Sequence, residues 1–162
     1  MQRILKTLHL CGLLLLTSGL VLAWILPDTL GAAANAGSRV VLAQSAYNAL
    51  LQLSLPGLLL MLATGVPMLL LNLNPNRSRW MGLKLALAGL VAGNFILFLA
   101  PTTRDLLIAV DRAAQGMAVH TPIDTLTTRN GWLALGGLGL VLAIVAISVI
   151  RPSLGRTAKP DN

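Results

Sequence analysis

The chain has 162 residues, 56% of them hydrophobic and only 10% charged, with a mean hydropathy of +0.79. That balance excludes an ordinary soluble domain and calls for lipid as the main solvent. The net charge of +7 would point to nucleic acid in a soluble protein, but the basic residues stand between and beside apolar runs, where they read as topology signals and not as a nucleic-acid surface.

The first apolar run, Leu8 to Leu26, follows Arg3 and Lys6 and ends at Pro27, predicting a helix over about 5–26. A cleaved secretory signal is the alternative, with Ala34-Asn35-Ala36 as its cleavage pattern; the run exceeds the roughly 7 to 15 residues of a signal core. Gly12, Gly19 and Ala23 fall near one side of this helix and offer a flat strip for packing. Residues 27–45, rich in Ala and Gly, read as an exposed loop.

The second helix is expected over about 46–72, long and bent, with Pro56 and Pro67 inside it and Tyr47, Asn48 and Gln52 near or above the interface. The polar stretch 72–79 reads as a short turn, which predicts antiparallel, neighbouring second and third helices.

The third run, Trp80 to Ala100, is 21 residues broken only by Lys84 and Asn94 and closed by Pro101, about the length that spans the bilayer core. Gly89 and Gly93 give it a small-xxx-small spacing for close helix approach. Residues 101–130 form an outer segment. Thr102 or Thr103 can cap a helix there, with Leu107, Val110, Ala114 and Met117 on its apolar face. The fourth helix is expected over about 131–150, before a basic tail.

The fold expected is therefore all-α, a single domain comprising a four-transmembrane-helix bundle with a partly helical outer segment. Eight of the twelve basic residues collect on one side if the N-terminus is cytoplasmic, so both termini are expected in the cytoplasm. Trp24, Tyr47 and Trp132 then lie at the outer interface and Trp80 at the inner one.

The chemistry-bearing residues are few. Cys11 is the lone cysteine, so paired-thiol chemistry has no partner. All five acids are aspartates outside the apolar runs, which removes the embedded carboxylate that small proton-coupled exporters need, and two histidines without clustered carboxylates build no plausible zinc site at membrane depth. His9, Met68 and Lys84 each lie about one turn inside a helix at the cytoplasmic side, on three different helices. Imidazole, thioether and amine can ligate haem, so these three form a candidate site for haem or a related tetrapyrrole. The bland reading is that Lys84 snorkels, His9 bonds a backbone carbonyl and Met68 packs. His120 lies in the outer segment, which nearly excludes a bis-histidine haem unless that segment re-enters the membrane. Asn94 is expected to bridge to a neighbouring helix, and Thr17, Ser18, Thr64 and Ser148 to bond carbonyls one turn back.

The stretches LHLCGLLLLTSG at 8–19, PGLLLMLATG at 56–65, RWMGLKLAL at 79–87 and IRPSLG at 150–155 together give the chain a likeness to bacterial four-helix membrane proteins. It resembles the copper-resistance D-like proteins and the membrane protoporphyrinogen oxidases. The resemblance implies a four-helix fold and, from the oxidase branch, functional weight on a first-helix histidine and a third-helix lysine, matched here by His9 and Lys84. The function expected is a structural or accessory membrane component, with haem binding and redox as the alternative. Its partners would be the lipid bilayer and another membrane protein or a second copy.

Overall fold

The computed structural model describes residues 2–33, 35–70 and 78–150. Helix α1 (Gln2–Asp28) runs into a 3-10 turn at Thr29–Ala32. Helix α2 (Ala36–Ala49) passes through a π-helical segment, Leu50–Ser54, into α3 (Leu55–Leu70). Helix α4 (Ser78–Gly93) passes through a second π segment, Asn94–Leu99, into α5 (Ala100–Ala114), and α6 (Ile123–Ile150) completes the fold. The expected turn over residues 72–77, the side chain of Trp80 and the basic tail lie outside the described residues.

Among the described residues, four helices are long and apolar enough to cross a membrane. Interhelical neighbours set their directions: Gly12 faces Gly57 and Met61, Gly19 faces Ser54, and Leu20 faces Gly137. Asn94 bonds the Leu133 carbonyl and Asn130 the Ala23 carbonyl. The spans therefore alternate up, down, up, down. The half holding residues 2 and 150 is called lower here, and the half holding the loop at 115–122 upper.

Two hydrophobic cores are stacked along the bundle. The lower one gathers Leu16, Leu20, Leu50, Leu58, Val91, Phe95, Leu99 and Val141; the upper one gathers Leu30, Ala43, Leu106, Ala109, Val110 and Leu126. Around the lower core, Leu14, Leu59, Leu90, Leu97 and Leu142 are exposed, the inverted pattern that suits lipid. Around the upper core the exposed positions include Arg39, Arg104, Asp105, Asp111, Arg112, Asp124 and Arg129, which suits water. Two of the spans run 33 residues, about 50 Å at 1.5 Å each against a hydrocarbon core of about 30 Å, so the upper core is a cap carried above the membrane. Trp132, 72% exposed, marks the boundary between the two zones.

Three expectations about the chain's path are corrected. Much of the stretch 27–45 is not a loop: Asn35 caps α2, its side-chain oxygen accepting from the Ser38 amide at 2.8 Å, so helix begins at residue 36. Pro101 does not close the third helix. It follows a π segment in which the Ala100 amide bonds the Phe95 carbonyl, and that wider turn eases the clash a proline ring makes with the carbonyl one α-turn back. Pro56 stands in the same relation to the first π segment, where the Leu55 amide bonds the Leu50 carbonyl. Because the third helix continues, Thr102 and Thr103 are buried helix-interior residues and not caps. The buried face of α5 is Leu106, Ala109 and Val110, while Ala114 and Met117 are exposed. Helix α5 ends instead in a Schellman motif. Gly116 takes φ +73, and the Gly116 and Met117 amides bond the Ala113 and Arg112 carbonyls.

The second and third spans are neighbours only above. Helices α2 and α5 pack closely in the cap, whereas among the described residues α3 and α4 scarcely touch. Below the π segments the helices are arranged α3–α1–α6–α4, packed at each step but parted between α4 and α3.

Candidate functional site

That parting leaves a cavity of about 200 Å³ in the lower half, lined from all four spans. Leu16, Leu58, Val91 and Val141 form its upper end; His9, Met68, Lys84 and Ser148 line it below. The three residues singled out from sequence thus meet at one space, although they come from α1, α3 and α4. Along α1, α4 and α6 the polar residue stands seven positions from the uppermost apolar one, about 10 Å of helix. The cavity is apolar above and polar below. Val66 and Leu85, on either side of the gap between α3 and α4, also line it and are 44% and 52% exposed, so the space communicates with the lipid-facing surface.

The approach of α1 to α3 sets the imidazole. Gly12 and Gly57 bring the two backbones together, and Gly65 leaves room for the ring, whose Cε1 lies 3.5 Å from where a Gly65 Cβ would stand. His9 Nδ1 lies 3.0 Å from Thr64 Oγ1, and the Thr64 hydroxyl donates to the Leu60 carbonyl at 2.7 Å. A hydroxyl has one proton; with that proton on the Leu60 carbonyl the Thr64 oxygen accepts towards His9, which assigns the ring proton to Nδ1 and leaves Nε2 its lone pair. Ser148 likewise gives its proton to the Ile144 carbonyl at 2.6 Å. The site therefore brings hydrogen-bond acceptors from α1 and α6 and the Lys84 side chain of α4 to one space. Among the described residues no carboxylate lines it.

Other candidates sit elsewhere. His120 and Cys11 are exposed. Asn94 Nδ2 donates to the Leu133 carbonyl at 3.0 Å, the helix-to-helix bridge expected of it. Thr17, Ser18, Thr64 and Ser148 all bond carbonyls one turn back. Among the described residues no three His, Cys, Asp or Glu side chains cluster closely enough to hold a metal ion.

Sequence reasoning missed two polar partners. Thr64 was legible as a self-satisfied hydroxyl but not as the group that orients His9. Asn130, assigned to the outer segment, is fully buried where the two cores meet; its Nδ2 donates to the Ala23 carbonyl at 2.7 Å and its Oδ1 accepts from Thr103. The only sequence signal for it was an amide immediately before Gly131 and the apolar run of α6. No family model matches the chain, and neither a curated protein nor a solved structure matches it.

Proposed function

We propose that this protein is a non-catalytic accessory component of a bacterial inner membrane, with both ends cytoplasmic, that holds a lipophilic molecule in its lower cavity. The observation that carries the reading is a cavity walled by four spans, apolar over its upper part and opening between α3 and α4 onto the lipid-facing surface. A molecule dissolved in the bilayer reaches such a site sideways without crossing water. Among the described residues the lining holds no acid and no cysteine, which favours binding over acid–base or thiol catalysis. The basic residues near the chain ends favour the cytoplasmic orientation. The test is photolabelling of the purified protein in phosphatidylcholine vesicles with photoactivatable hexadecanol. Adducts should map to lining residues such as Leu62 and Ile144, and Ala88→Trp, which fills the cavity, should remove them. Adducts confined to the outer lipid-facing belt, or unchanged in Ala88→Trp, reject the reading.

A second reading is a haem or related tetrapyrrole bound through His9 with Lys84 or Met68, in keeping with the proposed kinship to the copper-resistance D-like and protoporphyrinogen oxidase group. It is favoured by the fixed Nδ1–H form of His9, since a ligating histidine is usually held by a bond at its other nitrogen. The space is the difficulty. About 200 Å³ falls below the roughly 300–1,000 Å³ of pockets that enclose ligands of drug size, so the macrocycle does not fit unless α3 and α4 stand further apart. An absorption spectrum after haem-supplemented expression decides it: no Soret band in the wild type, or an unchanged band in His9→Ala, rejects this site.

A further inference from the structure

We propose that the occupant of the cavity carries a neutral hydroxyl group, of an alcohol or phenol, which donates its proton to His9 Nε2 while its hydrocarbon part fills the apolar end. This inference rests on the reading of the cavity as a lipophile site and names the polar group such a molecule brings to it. The spans place polar and apolar residues at different levels of one space. On α1 and α6, His9 and Ser148 stand about 10 Å of helix below Leu16 and Val141, which help to close the cavity above. These two helices pack against each other, so His9 and Ser148 project from neighbouring walls.

Both of these groups are acceptors. The Ser148 proton goes to the Ile144 carbonyl, and the His9 Nδ1 proton is directed at the Thr64 oxygen, whose own proton goes to the Leu60 carbonyl. Nε2 keeps its lone pair and, across a five-membered ring, points away from Thr64. The Cε1 atom beside it adjoins Gly65, which itself lines the cavity, so this edge of the ring faces the space. A molecule entering from the bilayer displaces water from that edge, and one that cannot replace the lost hydrogen bond binds less well. An ether, ester or ketone has acceptor oxygens alone and leaves Nε2 unpaired. A hydroxyl donates to Nε2 and still has an oxygen that accepts. An ammonium head donates too, but burying its charge beside the apolar lining costs more than the bond returns.

The experiment compares photoactivatable hexadecanol with its methyl ether on the intact protein in phosphatidylcholine vesicles, a lipid whose headgroup has no O–H or N–H donor to compete. The alcohol should label the cavity lining about tenfold more efficiently, as expected for one hydrogen bond to an acceptor otherwise left unpaired. His9→Leu, which keeps an apolar side chain of similar reach, should bring the alcohol down to the level of the ether. Thr64→Val, which lets the ring proton move to Nε2, should shrink the preference with His9 still in place, an effect that a merely space-filling imidazole would not give. Helicity by circular dichroism verifies that each variant is folded. Equal or stronger labelling of the lining by the ether in the wild type, or an unchanged preference in folded His9→Leu, overturns the hydroxyl donor and leaves the lipophile site standing. Stronger labelling by photoactivatable hexadecylamine than by the alcohol overturns the neutral head. Labelling of the lining by none of the probes overturns both readings.

Discussion

Replacing Gly57 by alanine tests the idea that the site depends on two backbones in near contact. A Cβ at Gly57 would lie 2.5 Å from the Leu16 nitrogen and 2.7 Å from the Gly12 oxygen, about 1 Å inside ordinary contact, and both are backbone atoms that cannot swing away. Relief requires α1 and α3 to separate, and a gap of 0.5–1 Å forfeits about a quarter to a half of each dispersion contact along the seam. Overpacking of this kind costs about 1–3 kcal/mol, against about 1 kcal/mol gained from the better helix propensity of alanine. A net loss of up to about 2 kcal/mol corresponds to a fall in Tm of up to roughly 8 °C for a chain of this size. Gly89 is the control, since a Cβ there meets nothing within 4 Å and alanine should instead raise Tm by about 2–4 °C. Both are read by thermal unfolding of the detergent-solubilised protein, followed by circular dichroism. If Gly57→Ala proves as stable as Gly89→Ala, the close α1–α3 seam and the placement of His9 that rests on it are wrong.

Asn130→Ala should lower stability by about 1–3 kcal/mol, because it strands the buried Ala23 carbonyl, whereas the Thr103 hydroxyl keeps its bond to the Leu99 carbonyl; denaturant unfolding measures it, and a change under about 0.5 kcal/mol would contradict the buried junction. Asn94→Leu removes a single interhelical bond and should cost only about 0.6–1.7 kcal/mol in the same assay. Thr64→Val, which takes away the acceptor at Nδ1, should move the imidazole nitrogen-15 signals of His9 from a pure Nδ1–H form to a mixture, whereas Thr17→Val should leave them unchanged. Reporter fusions at residue 115 and at the C-terminus should report opposite compartments, and matching signals would refute four spans.

Four apolar runs of membrane length, the small-residue face of α1 at Gly12, Gly19 and Ala23, and the bridging role of Asn94 were all readable from sequence, because each follows from hydropathy and helical spacing within one segment. So was the shared level of His9, Met68 and Lys84, which is simple counting from helix ends. Tertiary structure alone decided that these residues face one another, since only packing fixes the rotation of each helix. It also decided where the long helices end. Pro56 and Pro101 read as bends or stops in the sequence, but each follows a π segment that lets the helix continue, and that continuation raises α2 and α5 into a cap. Nor could the parting of α3 from α4 be read from a short connecting turn. A turn constrains where two helices meet at its own end, whereas the distance between them along their length is set by the helices packed behind, here α1 and α6, and by the cap that holds their far ends together.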